Sequence, residues 1–294
     1  MRSISIIGVG RMGGALALAL SEKKYRIENL IARSSENARK IIAAINQKTR
    51  FSTLEEIANI DSEIILICTQ DAEIAATAAL LPEKIKNGAA VFHTSGALSS
   101  EILAKVRENG NETGSIHPLV SISDSFLGAN RFENAYFAVE GTSESCRIAE
   151  SLVADLGGKP FSIDTKYKTL YHAAAVTACG HLVAVVETAI EMLAGCGLEN
   201  REAQRILLPL IESTIENLRT QTPAEALTGT FARADDETFA KHTEIISRRT
   251  APDILEIYLL LGEKSLALAE KKGADSARIE KIRRGIVMAK KHLK

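Results

Sequence analysis

Gly8, Gly10 and Gly13 stand in G-x-G-x-x-G spacing between a β-branched run, Ser3 to Ile7, and an apolar Ala/Leu-rich stretch, Ala15 to Leu20. That spacing suits a strand–turn–helix that cradles a pyrophosphate. The first glycine permits the turn, the second lets backbone approach the phosphates, and the third lets helix and strand pack closely. Arg11 and Met12 ride in the same loop, and the helix start offers free N–H groups to an anion. About 20 residues on, where an acidic residue would bind a ribose 2′-OH, the chain has Arg33, Ser34 and Ser35. A guanidinium and two hydroxyls pair with a 2′-phosphate, so the spacing favours NADP over NAD. Ser35 also suits the cap of the following helix, Glu36 to Ile45.

Two further sets of residues could act on a ligand held there. Thr69 and Gln70 end one apolar run; His93, Thr94 and Ser95 end another; His117 precedes Pro118. Hydroxyls at such places can position a carboxylate or a cofactor amide, and either histidine can move a proton near neutral pH. Lys168 and His172 are four apart at the start of a long helical pattern, so they share a face. Lys168 there would polarise a carbonyl or imine while hydride arrives, and His172 would bind the same substrate; Lys166 is the competing lysine. A third polar set, Thr228, Arg233, Asp235 and Asp236 with His242 beyond, reads equally as an interhelical turn capped by an aspartate.

These residues need a doubly wound scaffold. Strands are expected at Ser3–Ile7, Ile27–Ala32, around Phe51, at 63–69, 89–93, 113–116, 135–139 and 159–163. Helices fall between them, including 54–59, 72–81, 100–109 and 143–156. Beyond Asp164 the strand signal stops, and 170–194, 202–221, 235–247, 252–272 and 276–292 read as helices. The fold class is therefore α/β: an N-terminal doubly wound Rossmann domain, 1–163, followed by an all-α domain, 164–294, with the boundary near 162–166. The helical half is expected to close the cleft over substrate and to dimerise, since 173–194 is apolar on more than one face.

Composition narrows the partners. Formal net charge is −1 and aromatics make up 4%, without a basic run, which argues against nucleic acid. The apolar stretch 173–194 contains His181, Glu187 and Glu191, which are costly in lipid, so it is expected to be a buried helix and not a membrane span. Cys68, Cys146, Cys179 and Cys196 lack metal-ligand spacing and read as small hydrophobes of a reducing cytoplasm. No metal is expected. The partner is a small molecule and a second copy of the chain.

The order of motifs resembles a known family. It runs Gly8-x-Gly10-Arg11-Met12-Gly13, Cys68 to Asp71, His93 to Gly96, Gly114 to Pro118, Lys168-x-x-Tyr171-His172 with Ala173 to Ala175, and Leu227-Thr228-Gly229 with Arg233. This is similar to Rossmann-like proteins with a C-terminal helical domain of unknown function, labelled NADP oxidoreductases, in the 6-phosphogluconate dehydrogenase-like superfamily. Pyrroline-5-carboxylate reductase, ketopantoate reductase and the deazaflavin-dependent NADP reductase are similar in their N-terminal halves. The resemblance implies NADP and a hydride transfer to or from a small, anionic carbonyl or imine compound. In the β-hydroxyacid dehydrogenases of that superfamily a catalytic lysine precedes a substrate-binding Asn by four residues. Here Lys168 precedes His172, and Cys179-Gly180 stands where relatives carry an Asn. Those departures leave a non-catalytic NADP(H)-binding sensor as the alternative.

Overall fold

The computed structural model describes residues 1–293. From the N-terminus the elements are β1 (Arg2–Ile7), α1 (Arg11–Ser21), β2 (Tyr25–Ile31), α2 (Ser35–Ala44), β3 (Arg50–Ser52), β4 (Ile64–Ile67), α3 (Asp71–Leu80) and β5 (Ala90–His93). A 3-10 turn (Ser100–Leu103) then leads into α4 (Ala104–Glu108), β6 (Glu112–Pro118), α5 (Ser125–Gly128), β7 (Tyr136–Gly141), α6 (Ser143–Asp155) and β8 (Lys159–Phe161). Strand order is β3-β2-β1-β4-β5-β6-β7-β8. β6 and β7 pair antiparallel, and the neighbouring pairs are parallel. The apolar run of β4 and the Ser3–Ile7 stretch of β1 are buried on both faces, because helices cover the sheet on each side. One core lies on the α1, α2 and α6 face, a second on the α3 and α4 face. β1 lies between β2 and β4, so the crossovers leave in opposite directions and a crevice opens at the carboxyl ends of β1 and β4.

The chain divides into two compact units, Met1–Cys179 and Gly180–Lys294. The last strand ends at Phe161, near the boundary expected from sequence. The first unit nevertheless runs on to Cys179, because the start of α7 (Lys168–Ala194) is tied into the sheet by Lys168. The second unit holds α8 (Asn200–Thr220), α9 (Pro223–Ala226), α10 (Gly229–Ala232), α11 (Asp236–Arg249), α12 (Pro252–Lys271) and α13 (Ser276–His292). Its core is built by α11, α12 and α13 around Phe239, Leu259, Leu266 and Ile282.

Two expectations are corrected. The helix at 54–59 is a single turn: Thr53 and Glu56 hydrogen-bond each other's backbone N–H, and Ile60 then straightens to pair with the chain at Ile85. The stretch 173–194 is helical but not buried. In α7 the buried residues are Lys168 and Ile190, and in α8 Ala203. The second unit's core forms without those faces, leaving Leu182, Val183, Ile206 and Leu210 exposed. By length and composition, Thr165–Ala194 could cross a membrane, with mean hydropathy 1.7.

The loop after β1 gives a direct test of packing. A Cβ on Gly13 would lie 2.0 Å from the Gly8 carbonyl oxygen, whereas one on Gly10 meets nothing within 4 Å. Gly13→Ala should therefore lose about 1–3 kcal/mol in urea unfolding, despite alanine's better helix propensity. Gly10→Ala should stay within about 1 kcal/mol of the parent. Equal stabilities would refute this packing.

Candidate functional site

The crevice begins at the glycine turn. Gly8 has φ +92°, and a Cβ there would strike the backbone of Cys68 and Thr69, so the turn presses against the end of β4. Gly10 ends the turn as the cap residue of α1, with open space before it, and the Asn37 amide donates to the Val9 carbonyl at 2.6 Å, pinning the loop. The first turn of α1 carries no acidic residue, which leaves its positive end free for an anion.

A cleft of about 750 Å³ runs outward from this turn. Gly8, Gly10, Arg33, Ser34, Thr69 and Gln70, all singled out from sequence, line it. Arg11, Met12, Gly13, Ser35 and Ser95 are not among its lining residues. Met12 packs against the core, Gly13 is buried under the turn, and Ser35 is already inside α2. The α2 cap is Ser34, whose hydroxyl accepts from the Glu36 N–H at 3.4 Å; this corrects the expectation at Ser35. Arg33 Nη1 reaches across to Glu73 Oε1 on α3 at 2.9 Å. Lys40, missed from sequence, also lines the cleft and pairs with Glu36 at 3.0 Å. It stands seven residues after Arg33, two turns along the helix, and that spacing could have revealed it. Cys68 lines the floor with its thiol pushed up to about 12 by burial, which makes it inert as a nucleophile.

At the carboxyl ends of β4, β5 and β6 the first unit gathers the expected reactive groups. Gly96 marks the convergence: a Cβ there would lie 2.6 Å from His172 Nδ1 and 2.8 Å from His117 Nε2. The two imidazoles meet edge to face, with centroids 5.6 Å apart. His117 Nδ1 is 2.7 Å from the Tyr171 hydroxyl. Burial pushes the His117 imidazole down to about 4, helped by His172 and the Lys168 ammonium, and burial pushes the Tyr171 phenol up to about 12. Both are therefore neutral at pH 7, and a phenol that keeps its proton donates to Nδ1 and leaves the His117 proton on Nε2. His172 Nδ1 and Thr69 Oγ1 are buried without hydrogen-bond partners. Unpartnered buried polar atoms are costly and mark a place where a ligand or water belongs.

Below this layer the groups are mostly satisfied internally, with His93 Nε2 buried and unpartnered. His93 is fully buried and accepts from the Ser95 N–H at 3.2 Å; burial, then the Lys168 charge, pushes it down to about 4. The Ser95 hydroxyl donates to Asp71 at 2.8 Å and accepts from the Ala97 and Leu98 N–H groups at 3.1 Å, so it is committed within the protein. Lys168 is 1% exposed; its ammonium donates to the Ser115 hydroxyl and to Glu140 Oε1 at 3.0 Å. Burial pushes this ammonium below the usual lysine range, and the charges of Glu140 and Asp71 draw it back. Burial opposes ionisation of Glu140 too, but the Ser100 hydroxyl, Lys168 and the Ser100 N–H hold it below the usual carboxylate range. Lys166 points away and pairs with Asp164 at 2.8 Å, which settles Lys168 as the inward lysine.

Tyr171 and Glu140 were missed from sequence. Tyr171 sits one turn after Lys168, a signal available beforehand; Glu140 is a lone acid on β7, whose partner only the fold reveals. In the second unit, Asp235 caps α11 by accepting from the Thr238 N–H at 3.0 Å, and His242 Nδ1 lies 2.9 Å from the Tyr258 hydroxyl.

Two family models match the chain: a Rossmann-like domain over residues 1–118 and a domain of unknown function, DUF2520, over residues 135–265. Among solved structures, a Bacteroides fragilis protein described as an NADP oxidoreductase is 22% identical with a TM-score of 0.75, covering 90% of this chain and 98% of its own. A Thermotoga maritima protein is 23% identical with a TM-score of 0.70, over 92% and 99%. An imine reductase from a Pseudomonas species is 18% identical with a TM-score of 0.58, over 99% and 94%. No curated protein matches significantly.

The buried imidazoles predict a pH dependence. A histidine held near 4 when folded but near 6.5 when unfolded binds its proton only on unfolding, so stability falls as pH drops between those values. Replacing His117 by Asn should flatten the slope of unfolding free energy between pH 6 and 5 by about 1 kcal/mol per pH unit. An unchanged slope would show that His117 is not held neutral.

Proposed function

We propose that this chain, a Rossmann-like domain continued by a DUF2520 domain, is an NADP(H)-dependent oxidoreductase acting on a small carbonyl or imine compound. The observation that carries the reading is the glycine turn with its open face at Gly10, leading at one end to Arg33, Ser34 and Lys40 and at the other to the unpartnered Thr69 hydroxyl. The residues fit the cofactor. The Gly10 gap and the α1 N-terminus would take the pyrophosphate, Arg33, Ser34 and Lys40 a 2′-phosphate, and Thr69 and Gln70 the nicotinamide side. Bound there, the cofactor supplies or accepts hydride.

The chain's own groups then handle substrate and proton. His117 Nε2 and His172 Nδ1 pack against Gly96 too closely for an added carbon, so a carbonyl or imine would reach them from beside this contact. With Tyr171 donating to Nδ1, the neutral His117 presents an N–H; a proton given from Nε2 is replaced at Nδ1 by the tyrosine proton, and the resulting tyrosinate takes a proton back from solvent before the next turnover. Lys168 becomes a positioning residue: bound to Glu140 and Ser115, it holds the start of α7 so that Tyr171 and His172 face the strand ends. Its charge is already balanced by Glu140, so it offers no free cation to an anionic substrate. The same balance is what favours the second reading, a sensor that binds NADP(H) without turnover. Imines come first among compounds to try, since one structural neighbour is described as an imine reductase.

Two further parts of the reading follow from the exposed helices and the cysteines. The apolar faces at Leu182 and Val183 on α7 and at Ile206 and Leu210 on α8 are covered by a second copy, because Glu187 and Glu191 on α7 are costly in lipid. The four cysteines are free, which suits a reducing cytoplasm.

Thermal shift with the pure protein tests the cofactor. A ligand at 100 times its Kd stabilises by about 2.7 kcal/mol, so NADPH should raise Tm by several degrees and NADH by clearly less at equal concentration. Equal shifts would remove the assignment of Arg33; no shift with either would remove the dinucleotide site. Light scattering after size exclusion should give twice the chain mass at micromolar concentration, and the single-chain mass would refute the dimer.

A further inference from the structure

Charge at the outer end of the cleft is not what a simple phosphate receptor needs. Its lining holds two cations, Arg33 and Lys40, and three carboxylates, Glu36, Glu55 and Glu73. The formal sum is two minus three, or −1, where a doubly charged phosphate is to dock. The carboxylates differ in what they do. Glu36 lies on the same helix as Lys40 and pairs with it four residues apart. Glu73 comes from the opposite wall, on the first turn of α3, and takes the Arg33 guanidinium directly at 2.9 Å. The Arg33–Glu73 pair thus bridges the two walls, over a floor that includes Ile7, Ile31 and Ala72.

From this geometry we infer that Glu73 is a specificity-determining residue, a clasp that limits how strongly the cleft distinguishes NADPH from NADH. The inference rests on the cofactor reading above. A dinucleotide without a 2′-phosphate leaves Arg33 free to stay on Glu73 and close over the adenosine. A 2′-phosphate must draw the guanidinium off Glu73. That loss falls on NADPH alone, so Glu73 weakens NADPH relative to NADH. Arg33 is largely exposed, with its side chain 82% accessible, so the clasp is screened and its effect modest. Exposed pairs of this kind are worth a factor of about two to five in an equilibrium.

The test is titration of NADPH and NADH into the full-length protein, with binding followed by nicotinamide fluorescence. Glu73→Gln should widen the ratio of NADH to NADPH dissociation constants by about two- to fivefold, and the widening should vanish in the Arg33→Gln background. Glu55→Gln removes a negative charge from the same cleft without touching the clasp and should widen the ratio by less. An unchanged ratio in Glu73→Gln overturns the inference and leaves the cofactor reading standing. Equal widening by Glu55→Gln, or widening that survives loss of Arg33, also overturns it, because general charge then suffices. Failure of the parent protein to bind either dinucleotide overturns the cofactor reading itself, and the clasp with it.

Discussion

The candidate site depends on one buried ion pair. Lys168 is the first residue of α7 and Glu140 sits on β7, yet their charged atoms lie 3.0 Å apart with the lysine sealed from water. Burying two charges is favourable only when every remaining donor and acceptor finds a partner. Here Ser115 takes one lysine proton, while Ser100 gives Glu140 both its N–H and its hydroxyl. Removing one partner from such a pair costs about 3–5 kcal/mol. The pair fixes where α7 starts and which way its first turn faces, and so sets Tyr171 against His117 and His172 over Gly96. It also biases the histidines electrically, since the Lys168 charge helps hold His93 and His117 neutral.

Along the crevice the chemistry changes in kind. The glycine turn is a matter of space: Gly8 and Gly13 have no room for a side chain and Gly10 has room for a ligand. Toward α2 and α3 the cleft is a matter of opposed surface charges, each partly cancelled by a neighbour. Toward α7 it is a matter of neutral, desolvated hydrogen-bonding groups. Such a gradient suits a long ligand with a charged end and a reactive, nearly uncharged end.

Much of this was legible in the sequence, for identifiable reasons. The strand runs of β4 and β5 are short and apolar up to their polar ends because helices cover both faces, and those ends announced the ligand edge. The glycine spacing located the turn because sterics leave so few alternatives there. What failed to show was anything decided by a partner distant in sequence. Lys168 and His172 share a helix face as their spacing implies, yet Glu140, 28 residues earlier, draws the lysine inward and balances its charge. Ser95 looked available and is held by Asp71, again a contact across strands. The apolar helix 173–194 read as buried because composition shows the need for a cover without showing what supplies it.

The most direct measurement is a crystal structure of the protein soaked with NADPH, read around nicotinamide C4 and Lys168. The account predicts that the pyrophosphate lies at Gly10. It also predicts that C4 lies beside Gly96 on the side of His117 and His172, with the Lys168–Glu140 pair intact. A nicotinamide turned away from Gly96, or a Lys168 released from Glu140 and pointing at C4, would contradict it.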